Sequence, residues 1–172
     1  MYEFRPQRTN NRAQKLVALL FAGAAALFLL NIPLEGLPFL WVVQLLAILL
    51  LVAAIFLVTR YLTKAYEYAL IPDGDGTDLT VTEISSGGRK RITVCRISLS
   101  GIEDVRVLEG NDVSIRALHK EGKKVFDYRP DLSPDRSLLV EATEGGDKFA
   151  LFLAYGEEFL SILENNRNGQ NI

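Results

Sequence analysis

The run LVALLFAGAAALFLLNI (residues 16–32), followed at once by LPFLWVVQLLAILLLVAAIFLV (residues 37–58), decides the class of this chain. The first run has 17 residues and no charge, and as a helix it reaches roughly 25 Å, the short end of what crosses a bilayer. The second has 22 residues and reaches roughly 33 Å, enough to cross with some tilt. A pair of soluble core helices would carry a polar face, yet apart from Asn31 at the end of the first run Gln44 is the one strongly polar side chain inside either span. Both runs therefore read as transmembrane helices, over 16–32 and 37–59, joined by a short external loop at 33–36.

Working outward, Arg5, Arg8, Arg12 and Lys15 precede the first span, and Arg60 and Lys64 follow the second. The link Asn31-Ile32-Pro33-Leu34-Glu35-Gly36-Leu37-Pro38 carries turn formers and no basic residue. The positive-inside rule then puts both termini in the cytoplasm and the turn outside. A basic N-terminus before an apolar run also describes a cleaved signal peptide. Here the apolar run continues through Leu27-Phe28-Leu29-Leu30, and a second full span follows, which favours an uncleaved anchor. The small residues Ala22, Gly23, Ala24 and Ala26 can let the first helix approach Ala47, Ala53 and Ala54 of the second. Neither span holds an ionisable side chain, so two helices alone offer no transport pathway.

Composition agrees once position is considered. Of the 44 residues from Leu16 to Thr59, 36 are apolar, whereas the other 128 are about 38% apolar, ordinary for a water-soluble domain. Beyond Tyr66 the apolar period becomes two. Tyr66, Tyr68 and Leu70 alternate, a Gly/Asp-rich turn follows at 72–77, and Leu79 and Val81 alternate again. In Ile92, Val94, Cys95, Ile97 and Leu99 the phase slips by one residue, the mark of a bulge. Further strands are expected at Ile102–Leu108, Asp112–Leu118, Lys124–Tyr128, Ser137–Thr143 and Lys148–Ala154. Glu144-Gly145-Gly146-Asp147 reads as a tight turn between the last two. Phe159, Leu160, Ile162 and Leu163 then mark a helical face behind Glu157 and Glu158. The expected layout is a basic cytoplasmic N-terminus at 1–15, the two spans, a β-rich domain at 65–155, a closing helix at 156–166 and a polar tail at 167–172.

Tyr66-Glu67-Tyr68, Asp78-Leu79-Thr80-Val81-Thr82-Glu83-Ile84, Arg89-Lys90-Arg91 and Glu157-Glu158-Phe159-Leu160, in that order, resemble the pleckstrin-homology-like superfold. In particular the chain is similar to small bacterial membrane proteins that carry such a domain after two transmembrane helices. The resemblance implies a membrane protein with an N-terminal transmembrane α-hairpin and a C-terminal all-β or α+β pleckstrin-homology-like bent barrel, closed by a helix. It implies no assigned activity, and a fold does not supply one.

Candidate sites are few. Arg89, Lys90 and Arg91, with Arg96 behind them, could contact anionic lipid headgroups, although an ordinary solvated turn would carry the same residues. Residues 65–172 hold 13 Lys/Arg against 19 Asp/Glu, so only a local patch could bind an anionic surface. Lys120-Glu121-Gly122-Lys123-Lys124 is a weaker copy. Asp73-Gly74-Asp75-Gly76-Thr77-Asp78 lacks the glycine and the bidentate glutamate that an EF-hand loop requires at its sixth and twelfth positions. His119 and Cys95 are the only residues of their types, which excludes His/Cys metal sites and suits a reducing compartment. No catalytic motif occurs, no cofactor is implied, and the acidic domain argues against nucleic acid. The expected function is a non-enzymatic scaffold or protein-interaction module beneath the membrane, with the bilayer and an unidentified protein as partners and self-association compatible. The alternatives are an anionic-lipid surface sensor and an accessory subunit of a larger membrane complex.

Overall fold

The computed structural model describes residues 2–30, 39–74, 76–85, 88–110 and 115–170. The chain divides into two compact units: Asn10–Lys64, and a β-domain made of Met1–Thr9 together with Ala65–Ile172. The β-domain is thus discontinuous in sequence, and the apolar helices are inserted into it.

In the helical unit, α1 spans Arg12–Leu30 and α2 spans Leu40–Leu57. Asn10 accepts a hydrogen bond from the Arg12 amide at the start of α1 (3.2 Å). One turn of π-helix, Val58–Leu62, extends α2, and the Thr59 hydroxyl donates back to the Ile55 and Phe56 carbonyls there. Both helices are long and apolar enough to cross a membrane. The expected external loop at 33–36, and the ends of the spans at 31–32 and 37–38, lie outside the described residues.

The two helices pack through small residues. Ala24, Ala47 and Ala54 are fully buried, and a side chain added at Gly23 would meet Leu50. Val17 and Ala24, like Ala47 and Ala54, are seven residues apart, which keeps them on one face of each helix. Ala22, Ala26 and Ala53 face outward instead.

In the β-domain the first sheet has the order β1-β2-β3-β4: Tyr2–Phe4, Lys64–Asp73, Gly76–Ser85 and Arg91–Ser98. β1 runs antiparallel to β2, with Tyr2 opposite Leu70, Glu3 opposite Ala69 and Phe4 opposite Tyr68. Residues 2–9 are therefore part of the β-domain, where the sequence suggested a basic lead-in to the first span. The aromatic-Glu-aromatic pattern Tyr2-Glu3-Phe4 repeats that of Tyr66-Glu67-Tyr68 and is the signal for a strand of the same kind. Phe4 stacks on Phe159 at 5.3 Å between ring centroids, so the strand is anchored in the core. Gly156 makes room for it, since an added Cβ would lie 2.6 Å from the Phe4 ring.

The expected phase slip in β4 is a bulge: Thr82 faces Thr93 and Val81 faces Cys95, leaving Val94 as the extra residue. The slip lets Cys95, Ile97 and Leu99 point to the core.

The second sheet has the order β5-β7-β8-β6, comprising Ile102–Glu109, Arg136–Glu144, Asp147–Ala154 and Lys124–Asp127. β7 and β8 form the expected tight hairpin over Gly145 and Gly146, whose positive φ values (59° and 88°) suit the turn. β6 runs parallel to β8, with Lys124 opposite Phe149. The chain then crosses the end of β8 through residues 128–135 before entering β7. The Tyr128 amide bonds the Phe152 carbonyl during that crossing (2.9 Å).

The expected strand at Asp112–Leu118 is corrected over its described part. Residues Ile115–Lys120 form a short helix, α3. Leu118 of α3 packs with Leu108, Leu139, Ala150 and Phe152 on the outer face of the second sheet. This second cover explains why β7 reads as the near-continuous buried run Ser137–Ala142 rather than an alternation.

The main core lies on the other side, among Tyr68, Leu79, Val81, Ile97, Leu138, Val140, Leu151 and Leu153, and the terminal helix α4 (Glu157–Gln170) adds Phe159 and Leu163. This helix runs four residues beyond the expected 166. The fully buried Tyr68 hydroxyl donates to the Tyr128 carbonyl and accepts from the Ala154 amide, tying β2 to the crossing and to the end of β8. Burial pushes its pKa well above the usual phenol value.

Candidate functional site

The helices enter and leave the β-domain at one end of the first sheet. Residues 5–9 lead from β1 towards α1, and Lys64–Ala65 begin β2 directly after the π-helical turn. β3 folds back along β2 through the turn at Gly74, so its far end returns to the start of β2. The start of β4 is therefore at this same end, with Arg89 and Lys90 just before it and Arg91 as its first residue.

A buried carboxylate holds the end together. Glu67 is only 6% exposed, and it pairs with Arg5 of the N-terminal segment and with Arg91 at the start of β4 (3.4 Å). A buried carboxylate without partners would cost several kcal/mol, so two guanidinium groups from either side are what make Glu67 tolerable here. Asp131, also buried, accepts bonds from the Thr9 amide (3.0 Å) and hydroxyl (2.7 Å). These two acids clamp residues 5–9 against β2 and against the 128–135 crossing. Neither stands out in the sequence, because a buried acid and a surface acid are written alike.

The clamp borders a cavity of about 370 Å³, lined among others by Phe4, Pro6, Thr9, Pro130, Asp131 and Tyr155. A neighbouring cavity of about 250 Å³ shares Thr9, Arg136 and Tyr155 with it. Arg129 forks onto Asp127 (2.9 and 2.8 Å) and lies 4.8 Å from the centre of the Phe152 ring. Arg136 is 5.6 Å from the centre of the Tyr155 ring and makes a loose pair with Glu109 (3.6 Å). Volumes of this size suit a small ligand or a side chain of a partner.

The suggested triplet is divided by the structure. Arg91 belongs to the clamp, whereas Arg89 and Lys90 are exposed and form no ion pair among the described residues. Arg96, the neighbour behind them, points away from the triplet and is held by Asp73 (2.8 Å) and Asp78 (2.6 Å). Those two aspartates were the ends of the calcium-like loop, so an internal cation already occupies their charge. Asp75 lies outside the described residues. In the weaker basic copy, Lys123 is held by Glu121 (2.8 Å) and Glu141 (2.7 Å), and Lys124 sits beside Asp147 (2.5 Å). Cys95 packs against the core, where burial raises its thiol to about 11, the opposite of an activated nucleophile. Among the described residues no group of His, Cys, Asp and Glu side chains could hold a metal ion.

None of the protein-family models compared with the chain matches it, and comparisons with curated proteins and with solved structures give no match either. The site therefore stands on its geometry.

Proposed function

We propose that this chain is an integral protein of a bacterial inner membrane, with both termini in the cytoplasm and a non-enzymatic β-domain that works as an interaction module. The observation that carries the reading is the pairing of Tyr2–Phe4 with β2. Both ends of an apolar helical pair enter one folded domain, so an embedded pair must leave and return on a single side. The basic residues at both ends, and none in the link, favour the cytoplasmic side. Exposure of the apolar side chains supports embedding as well: Leu19 is 68% exposed and Trp41 62%. A soluble protein would hide such residues.

In this reading the pleckstrin-homology-like resemblance supplies the architecture, and the cavity beside the start of α4 is where a partner segment docks. Topology is tested by inserting reporters after Glu35 and after Ile172 in the full chain. They are expected on opposite sides of the membrane, and an external C-terminus defeats the assignment. Docking is tested with photo-crosslinkers placed at Gln7 and at Lys148 in living cells. Capture of one protein from Gln7 but not from Lys148, at the far end of β8, supports a cavity-centred partner, and equal background at both opposes it.

A further inference from the structure

Resting on the embedded reading, we infer that residues 89–92, at the start of β4, are a docking surface for anionic bilayer lipid, in which Arg89 and Lys90 meet headgroups and Ile92 enters the interface.

Three observations converge. The first is place. Arg91, the residue after Lys90, bonds to Glu67, and Glu67 lies five residues beyond Leu62, where the helical unit ends. Arg89 and Lys90 are thus fixed, through Arg91, to the end of the first sheet at which β2 begins. The second is charge. Most cations of the β-domain are matched internally: Arg5 and Arg91 by Glu67, Arg96 by Asp73 and Asp78, Arg106 by Asp104 and Glu141, Arg129 by Asp127. Arg89 and Lys90 are exposed and unmatched among the described residues, so their charge is available to an outside anion. The acidic balance of the whole domain does not oppose this, because salt screens charges beyond about 8 Å and the contact is local. The third is apolar surface. Ile92 is 44% exposed and Val94 38%, directly after the basic pair. Ile92 faces Glu83 across the ladder. Basic side chains followed by an exposed aliphatic side chain form the pattern by which headgroup attraction and interfacial insertion reinforce each other.

An acidic protein partner could use the charges too, but it gives no reason for an exposed isoleucine directly after the basic pair. The triplet thereby separates by role: Arg91 positions the strand, and Arg89 and Lys90 bind.

The test uses the full chain with Cys95→Ser and Ile92→Cys, spin-labelled at position 92 and reconstituted in nanodiscs. Discs of one-third phosphatidylglycerol in phosphatidylcholine are compared with discs of pure phosphatidylcholine. Collision with oxygen against a nickel chelate reports whether the label is in lipid or in water. In anionic discs the label is expected to be lipid-exposed, and in neutral discs aqueous. Arg89→Glu with Lys90→Glu should lower the docked-to-free ratio at least thirty-fold, as follows from about 1 kcal/mol per basic residue near the surface. Arg89→Lys with Lys90→Arg should restore it. A label that stays in water in anionic discs overturns the proposal, as does equal immersion in both lipids. A label shielded from both probes by a bound protein overturns it as well. Unchanged circular dichroism of the variants keeps misfolding out of the comparison. Failure of the embedded reading looks different: the chain would then not incorporate into either disc.

Discussion

The helical unit and the β-domain solve opposite problems with much the same residues. In α1 and α2 the large apolar side chains point outward, and what is buried is alanine: Ala24, Ala47 and Ala54 are fully enclosed while Leu19, Leu29 and Trp41 are exposed. In the β-domain the large side chains Tyr68, Phe152, Phe159 and Leu151 are enclosed and the outside is charged. If the helical unit sits in hydrocarbon, as proposed, hiding leucine gains it nothing, and close approach through small residues is what holds it together. A unit in water gains from each hidden apolar side chain. The contrast teaches that burial must be read against the solvent each unit meets.

The sharpest way to break the contrast is to flip one strand. Deleting Val81 from the middle of β3 moves every residue before it to the opposite face, so Leu79 leaves the core and Thr80 enters it. Loss of the cooperative unfolding transition of the β-domain is expected, with the helical content of α1 and α2 retained in detergent. Next in size, Phe159→Ala removes the ring on which Phe4 and Tyr68 both pack. A cost of about 3–5 kcal/mol is expected by denaturant titration. It should free residues 2–9 first, seen as rapid amide exchange there. If Phe159→Ala left exchange in β1 unchanged, the anchoring role given to Phe4 would be wrong.

In the helical unit the small residues reverse the logic, and enlarging rather than shrinking a side chain is the damaging change. Ala47→Leu overfills the helix contact, with a cost of about 1–3 kcal/mol expected, while Ala22→Leu on the outward face should cost almost nothing. Thermal unfolding in one detergent compares the two directly. Equal effects would mean that the helices do not pack through Ala47.

Much of this was legible in the residues. Uninterrupted apolar runs marked the two helices, and period-two alternation marked most strands. What was not legible depends on distant partners. Tyr2-Glu3-Phe4 carries the same aromatic-Glu-aromatic signal as β2, but three residues do not settle a strand alone, and they become one because β2 offers an edge and Phe159 a ring to stack on. Residues 115–120 form a helix because the outer face of the second sheet needs a cover, and Leu118 supplies it. The clamp at Glu67 was hidden for a related reason. A carboxylate in an alternating strand looks solvent-facing until two arginines from other segments close over it.

The smallest expected effect tests the finest detail that the sequence did reveal. Val94 is the extra residue of β4, unpaired in the ladder between Thr93 opposite Thr82 and Cys95 opposite Val81. Removing it should not move its neighbours to wrong faces, because Thr93 outward and Cys95 inward already form a regular alternation once it is gone. The deletion loses only a long bond from the Tyr128 hydroxyl to the Val94 carbonyl (3.4 Å) and some exposed apolar surface. A destabilisation of about 1 kcal/mol or less is expected in the same denaturant titration. This stands against the collapse expected from the Val81 deletion in the adjoining strand. A helix has no equivalent of this immunity. One residue removed from α2 turns everything beyond it by about 100°, which would carry Ala54 off the contact face that it shares with Ala47. A severe loss from the Val94 deletion would mean that the bulge bears strand curvature the core depends on, beyond correcting the phase of the side chains.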